Sequence, residues 1–155
     1  MPTIILAVAA MLLTTTAQAA TVHDCGSESE HRDLDSIENL IGNVRDFAKG
    51  AIRVAYVLKE RSEASSSAHL LIFVLGERAQ GGTECYAVSA EYKGPTPDFV
   101  SIDMSGLKAT YDSNKGLLIS VPVRSFDSDK QRSVPGRVKV RISRKDNNNS
   151  VTIEK

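Results

Sequence analysis

The chain has no tryptophan and only four tyrosines and four phenylalanines, too few aromatic faces for the stacking platforms that hold single-stranded nucleic acids. It has no net charge either. Nineteen Lys and Arg balance 19 Asp and Glu, so no bulk field draws it to an anionic polymer, and no nucleic-acid partner is expected. Ten glycines and five prolines exclude a collagen-like or low-complexity chain. Long apolar runs are missing as well. The longest, Ile4 to Leu13, would make a helix of about 15 Å, half of a roughly 30 Å hydrocarbon core, which argues against a permanent membrane span.

The motifs of several chemistries are also absent: there is no G-x-S-x-G, no H-E-x-x-H, no G-x-x-x-x-G-K and no G-x-G-x-x-G,. Ser105-Gly106-Leu107-Lys108 fits S-x-x-K, but that pair works one helical turn apart. Here Leu107 opens an alternating strand, on which positions three apart face opposite ways,. Asp127-Ser128-Asp129 starts like a calcium loop yet lacks the glycine and glutamate that must follow, so it reads as a solvated turn,. His23 and His31 flank Cys25, but structural zinc wants four ligands and would consume a cysteine, so no metal is expected,. No cofactor and no convergent catalytic set emerges.

What the sequence does contain begins with an address. After the apolar run, Thr14, Thr15 and Thr16 lead into Ala17-Gln18-Ala19, a small-x-small cleavage pattern,. Residues 1–19 read as a signal peptide, although Met1-Pro2-Thr3 carries no Lys or Arg, and residues 20–155 as a single secreted domain that begins near Ala20,. Export places the mature protein in a periplasm or outside the cell. Asp24 is not the small residue that lipid anchoring on Cys25 would need. Cys25 and Cys85 therefore pair in the oxidising compartment, and closing so long a loop stabilises the fold by about 4 kcal/mol on the chain-entropy model,.

Within the mature chain, Thr21 to Arg32 is a polar lead-in. Leu34, Ile37, Leu40, Ile41, Val44 and Phe47 then recur at spacings of three and four, which predicts one amphipathic helix from Asp33 to a stop at Gly50,. Beyond it the period falls to two. Ile52 to Lys59, His69 to Leu75 and Glu84 to Tyr92 read as strands, with Arg61 to Ser67 a loop. His69 to Leu75 is apolar on both parities, as in a central strand covered on both faces,. Phe99 to Met104, Leu107 to Tyr111, Leu117 to Val123, Arg137 to Ser143 and Ser150 to Glu154 follow, separated by turn residues,. Tyr111 to Leu117 is a hairpin signal, with Gly116 suited to a left-handed position. Pro122 marks an edge or a bulge. Asn148-Asn149-Ser150 fits a glycosylation acceptor and, alternatively, a hairpin turn between Ile142 and Val151,. One helix and about eight mostly antiparallel strands make an α+β domain.

Charge is unevenly placed. Asp24 to Asp46 carries seven acidic residues against Arg32 and Arg45, whereas Lys130 to Lys145 carries seven basic residues and no acidic one. On a strand, Arg137, Lys139 and Arg141 share one face and Val138, Val140 and Ile142 the other, so three cations project about 7 Å apart,. Such a row either meets an anionic surface or guards an outer strand against edge-to-edge pairing. The expected function is that of an exported, non-enzymatic binding or accessory protein with a protein or anionic envelope partner. Two alternatives stand beside it: a small secreted hydrolase built from Asp98, Asp103, His69 and Ser105, and a carrier holding an apolar ligand in a cavity between helix and sheet.

Overall fold

A computed structural model of the chain describes residues 20–25, 44–62, 65–76, 82–90, 99–127, 129–145 and 148–155. The signal segment, residues 26–32 of the expected lead-in including His31, residues 33–43 of the expected helix, and Asp98 lie outside them. Among the described residues there is no α-helix. Ten strands form one antiparallel sheet: β1 (Ala20–Asp24), β2 (Val44–Phe47), β3 (Ile52–Ser62), β4 (Ser65–Leu75), β5 (Thr83–Ala90), β6 (Phe99–Ile102), β7 (Lys108–Asp112), β8 (Gly116–Asp127), β9 (Arg132–Lys145) and β10 (Asn148–Glu154). The α+β expectation is thus corrected to an all-β architecture.

The physical reason shows at Val44 and Phe47. Three residues apart, they share a helical face but oppose each other on a strand. Phe47 packs on the main core, while Val44 packs in a second cluster with Ala55 and Leu71. Both faces of the β2–β3 ladder are covered, so both parities are apolar, and a short stretch of that kind imitates helical spacing. The chain reverses between β2 and β3 through a single 3-10 turn at Ala48–Gly50.

The sheet path runs β1-β5-β4-β6-β8-β9-β10 and brings β1 back beside β10, giving a nearly closed barrel. Strand β4 organises it. One of its edges runs along β3; the other is divided, Leu70 to Leu75 pairing with β5 and Ala68 with Phe99 of β6. Its even-numbered side chains Leu70, Ile72 and Val74 face the main core with Ile119, Val121 and Val140, and its odd-numbered Leu71 joins Ala87 and Cys25 on the other side. The expectation of a central strand buried on both faces holds. Small barrels of this strand number are filled by their own inward side chains, and Phe99, Leu70, Ile72 and Ile119 are all essentially inaccessible. No helix among the described residues bounds the ligand cavity expected of a carrier.

Cys25 and Cys85 are joined, with Cα atoms 5.4 Å apart and a sequence separation of 60. The bond ties the end of β1 to β5 on the face opposite Val88, and Cys25 N–H donates to the Cys85 carbonyl at 3.1 Å. Such a bond belongs to an oxidising environment. Of the polar run from Arg61 to Ser67, expected as a loop, the described residues 61–62 and 65–67 instead extend β3 and β4, with Lys59 opposite Ser67 and Glu60 opposite Ser66. Ladder pairing uses backbone groups and needs no apolar side chain at a strand tip. The Asn-rich segment is hairpin strand, with Asn148 opposite Lys145 and Val151 opposite Ile142.

Candidate functional site

Strand β9 alternates as its sequence requires. Val138, Val140 and Ile142 are buried at 1%, 0% and 1% exposure, and Arg137, Lys139 and Arg141 occupy the outer face. The strand is not an outer one, however. From Lys139 onward it lies between β8 and β10, with Lys139 opposite both Ser120 and Glu154. The edge-guard reading is therefore corrected for Lys139 and Arg141, which have a strand on both sides; Arg137, on the Arg132–Val138 stretch, pairs with β8 alone among the described residues.

Each cation is oriented by a neighbour. Arg137 Nη1 donates to the Ser120 carbonyl and hydroxyl oxygens, both at 3.3 Å, and Lys139 Nζ donates to the Lys155 main-chain oxygen at 3.2 Å. Arg141 is bound most firmly. Its Nε donates to Glu154 Oε1 at 2.6 Å and its Nη1 to the Gly116 carbonyl at 3.5 Å. The hydrogen bond from Arg141 holds the Glu154 carboxyl below its ordinary range. Arg141 is thus committed to a carboxylate, whereas the described hydrogen bonds of Arg137 and Lys139 go to carbonyl, hydroxyl and main-chain oxygens.

The register adds two cations that the linear sequence did not group with this row. Lys108 on β7 lies opposite Ser120, which lies opposite Lys139. Arg124 on β8 has the same outward parity and donates to the Ser133 hydroxyl and carbonyl at 3.0 and 3.1 Å. Ser120, a small residue, sits among Lys108, Arg137 and Lys139. No signal within any one segment brings these together, because the grouping depends on which strands are neighbours.

The residues expected of a hydrolase divide between two places. Asp103 and Ser105 meet in the turn after β6, where Asp103 Oδ1 accepts from Ser105 Oγ at 2.5 Å, from Ser105 N–H at 3.0 Å and from Gly106 N–H at 3.2 Å. These bonds, that of the Ser105 hydroxyl foremost, hold the Asp103 carboxyl below its ordinary range, which makes it a turn cap and a poor base. His69 is buried on β4, on the face of the second cluster. Its neighbour Ala68 pairs with Phe99, four residues before Asp103 and so about 13 Å away along the strand,. The fourth member, Asp98, lies outside the described residues.

The second face carries a polar relay that sequence reading missed. Thr21 Oγ1 bonds His23 Nε2 at 2.8 Å and approaches Ser89 Oγ at 3.4 Å, and Ser89 is buried. Period-two parity in the N-terminal lead-in was the signal available, hidden by its polar composition. Among the described residues no group of His, Cys, Asp and Glu is arranged to hold a metal, and no helix is long and apolar enough to cross a membrane. Asp127 Oδ1 accepts from the Asp129 and Lys130 N–H groups at 3.1 Å each, so the calcium-like motif caps a turn. No family model, curated protein or solved structure matches the chain.

Proposed function

We propose that the protein is exported by its N-terminal signal segment to a periplasm or the cell exterior and works there as a binding or accessory protein, recognising an anionic partner with the outer face of β7, β8 and β9. The observation that carries this reading is the location of the cation row. Lys139 and Arg141 lie on a stretch of β9 paired on both sides, where protecting an edge does not account for them, Arg137 continues the row beyond that stretch, and the ladder adds Lys108 and Arg124 to the same face. A cluster of one sign on a rigid sheet raises the local concentration of the opposite charge even when the whole chain is neutral. The disulfide supports the exported setting,.

The test uses oxidised protein purified from the exported fraction, whose intact mass should correspond to a chain starting near Ala20. Binding is measured against an acidic polysaccharide, anionic phospholipid vesicles and duplex DNA at rising salt. Salt-sensitive binding to the polysaccharide or the vesicles, lost when Arg137, Lys139 and Arg141 are all changed to Gln in a protein that keeps its fold, supports the reading. Absence of binding to all three probes, or binding indifferent to the triple change, overturns it.

A further inference from the structure

Among the described residues the short strands β2 and β7 each pair on one side only. Strand β7 pairs with β8 alone among these residues, and Lys108, Ala109, Thr110 and Tyr111 are all exposed. Tyr111, at 72% exposure, is the most exposed large apolar residue described. In an antiparallel ladder every second residue directs its N–H and C=O away from the existing partner, so this side presents unpaired backbone donors and acceptors.

An open edge of this kind is usually blunted by charge, since lysine repels the lysine of an approaching copy. The order of residues in β7, Lys-Ala-Thr-Tyr-Asp, reverses that effect. Laid antiparallel against itself about a two-fold axis at Thr110, the strand overlaps over its full length, and in that register Lys108 stands opposite the partner's Asp112. Tyr111 stands opposite the partner's Ala109, a small residue beside a large one. Directly opposed pairs of opposite charge, and a threonine facing its own counterpart as Thr110 does on the axis, are among the pairings that stabilise a ladder. Lys108 is available for this, because it makes no hydrogen bond or ion pair among the described residues. Asp112 uses Oδ1 to cap its own turn through the Asn114 and Lys115 N–H groups, leaving its second carboxylate oxygen.

We infer that β7 is a self-complementary docking edge whose partner is a second copy of this chain. The pairing is isologous, each residue meeting its counterpart twice, as closed two-fold dimers require. Five residues a side bury less than a standard interface, so the dimer is of the weak, concentration-dependent class. Its two-fold axis stands perpendicular to the sheet, which puts both β9 cation rows on one continuous face, about 24 Å apart at five strand spacings.

Sedimentation equilibrium of the oxidised protein from about 1 µM to about 1 mM should show a monomer–dimer equilibrium. Lys108→Glu, which confronts Asp112 with like charge at both ends of the two-fold, should weaken it about tenfold or more. Thr110→Cys should form a disulfide across the axis, where directly opposed Cα atoms stand about 4.5–5.5 Å apart, with Cys25–Cys85 retained by peptide mapping. A chain that stays monomeric throughout overturns the proposal. So does a dimer indifferent to Lys108→Glu or not captured by Thr110→Cys, since the contact then lies elsewhere. Anion binding by the monomer is a separate readout and survives either failure.

Discussion

Gly106 lies against the ring of Pro122: a Cβ built on Gly106 would stand 2.7 Å from Pro122 Cγ and 2.8 Å from Asp103 Oδ2. The contact belongs to an interruption in the barrel. Ile102 pairs with Val123 and Lys108 with Ser120, so the five residues Asp103 to Leu107 stand opposite only Val121 and Pro122, with Met104 turned into the core. The Pro122 carbonyl accepts from Asp103 N–H at 3.0 Å, so the side of β8 on which proline lacks a donor faces the bulge, where no ladder bond is lost,. An interior strand thereby accommodates a residue expected at an edge or bulge.

Gly106→Ala should accordingly destabilise the protein by about 1–3 kcal/mol through overpacking. Pro122→Ala opens the space, so the double variant should lose less than the sum of the two single losses. Denaturant unfolding with the disulfide intact measures all three.

Gly116 should be less tolerant still. Its φ is +85°, and a Cβ there would stand 2.3 Å from the Ile142 carbonyl oxygen of β9, a backbone atom that cannot swing aside. Gly116→Ala should cost roughly 2–4 kcal/mol, from left-handed strain added to a clash within the sheet. The same unfolding assay reads the loss.

The two faces of β9 should separate cleanly. Val140→Asp puts an unpaired charge at a fully buried position and should cost several kcal/mol. Changing Arg137, Lys139 and Arg141 together to Gln should cost about 1 kcal/mol or less, even with the Arg141–Glu154 pair removed,. Thermal unfolding of both variants beside wild type shows whether packing and charge divide this way.

Stability should fall at both extremes of pH. Asp103, Asp112 and Asp127 each cap a turn, and the bonds to Ser105 Oγ, Asn114 N–H and Lys130 Nζ respectively lead in holding them below the ordinary range. A lowered folded value means stability present above the unfolded value of about 4 and lost as pH drops through the folded one. Tyr86 acts at the other end: burial, then its 2.8 Å bond to Glu84 Oε2, pushes it up to about 12. A raised folded value gives stability complete below about pH 10 and lost as pH climbs toward 12. Unfolding curves across pH should show both declines, with the alkaline one reduced in Tyr86→Phe and the acid one reduced in Asp112→Asn.

Where one chemical constraint acts alone, the fold is legible in the residues. Two cysteines admit a single pairing, and Cys25–Cys85 is present. The alternation of Val138, Val140 and Ile142 with cations defines an inward and an outward face, and both are observed. The turn before Gly116 and its positive φ follow from the need for a left-handed residue there. Legibility fails where the ladder, rather than the side chains, decides. Ser65 to Ser67 pair as strand although nothing apolar marks them, and Val22 faces the core from a polar lead-in. Lys108 and Arg124 join the cation row only through the order of β7, β8 and β9, a non-local fact that no window of sequence contains.

The recognition face is tested most directly by mapping it. Amide chemical shifts of the oxidised protein, titrated with an acidic polysaccharide at low salt, should move first at Lys108, Ser120, Arg137 and Lys139 and return as salt is added. Shifts gathered instead around the His23, Thr21 and Ser89 relay, or no shifts at a concentration where the polysaccharide saturates a basic control protein, would contradict the account.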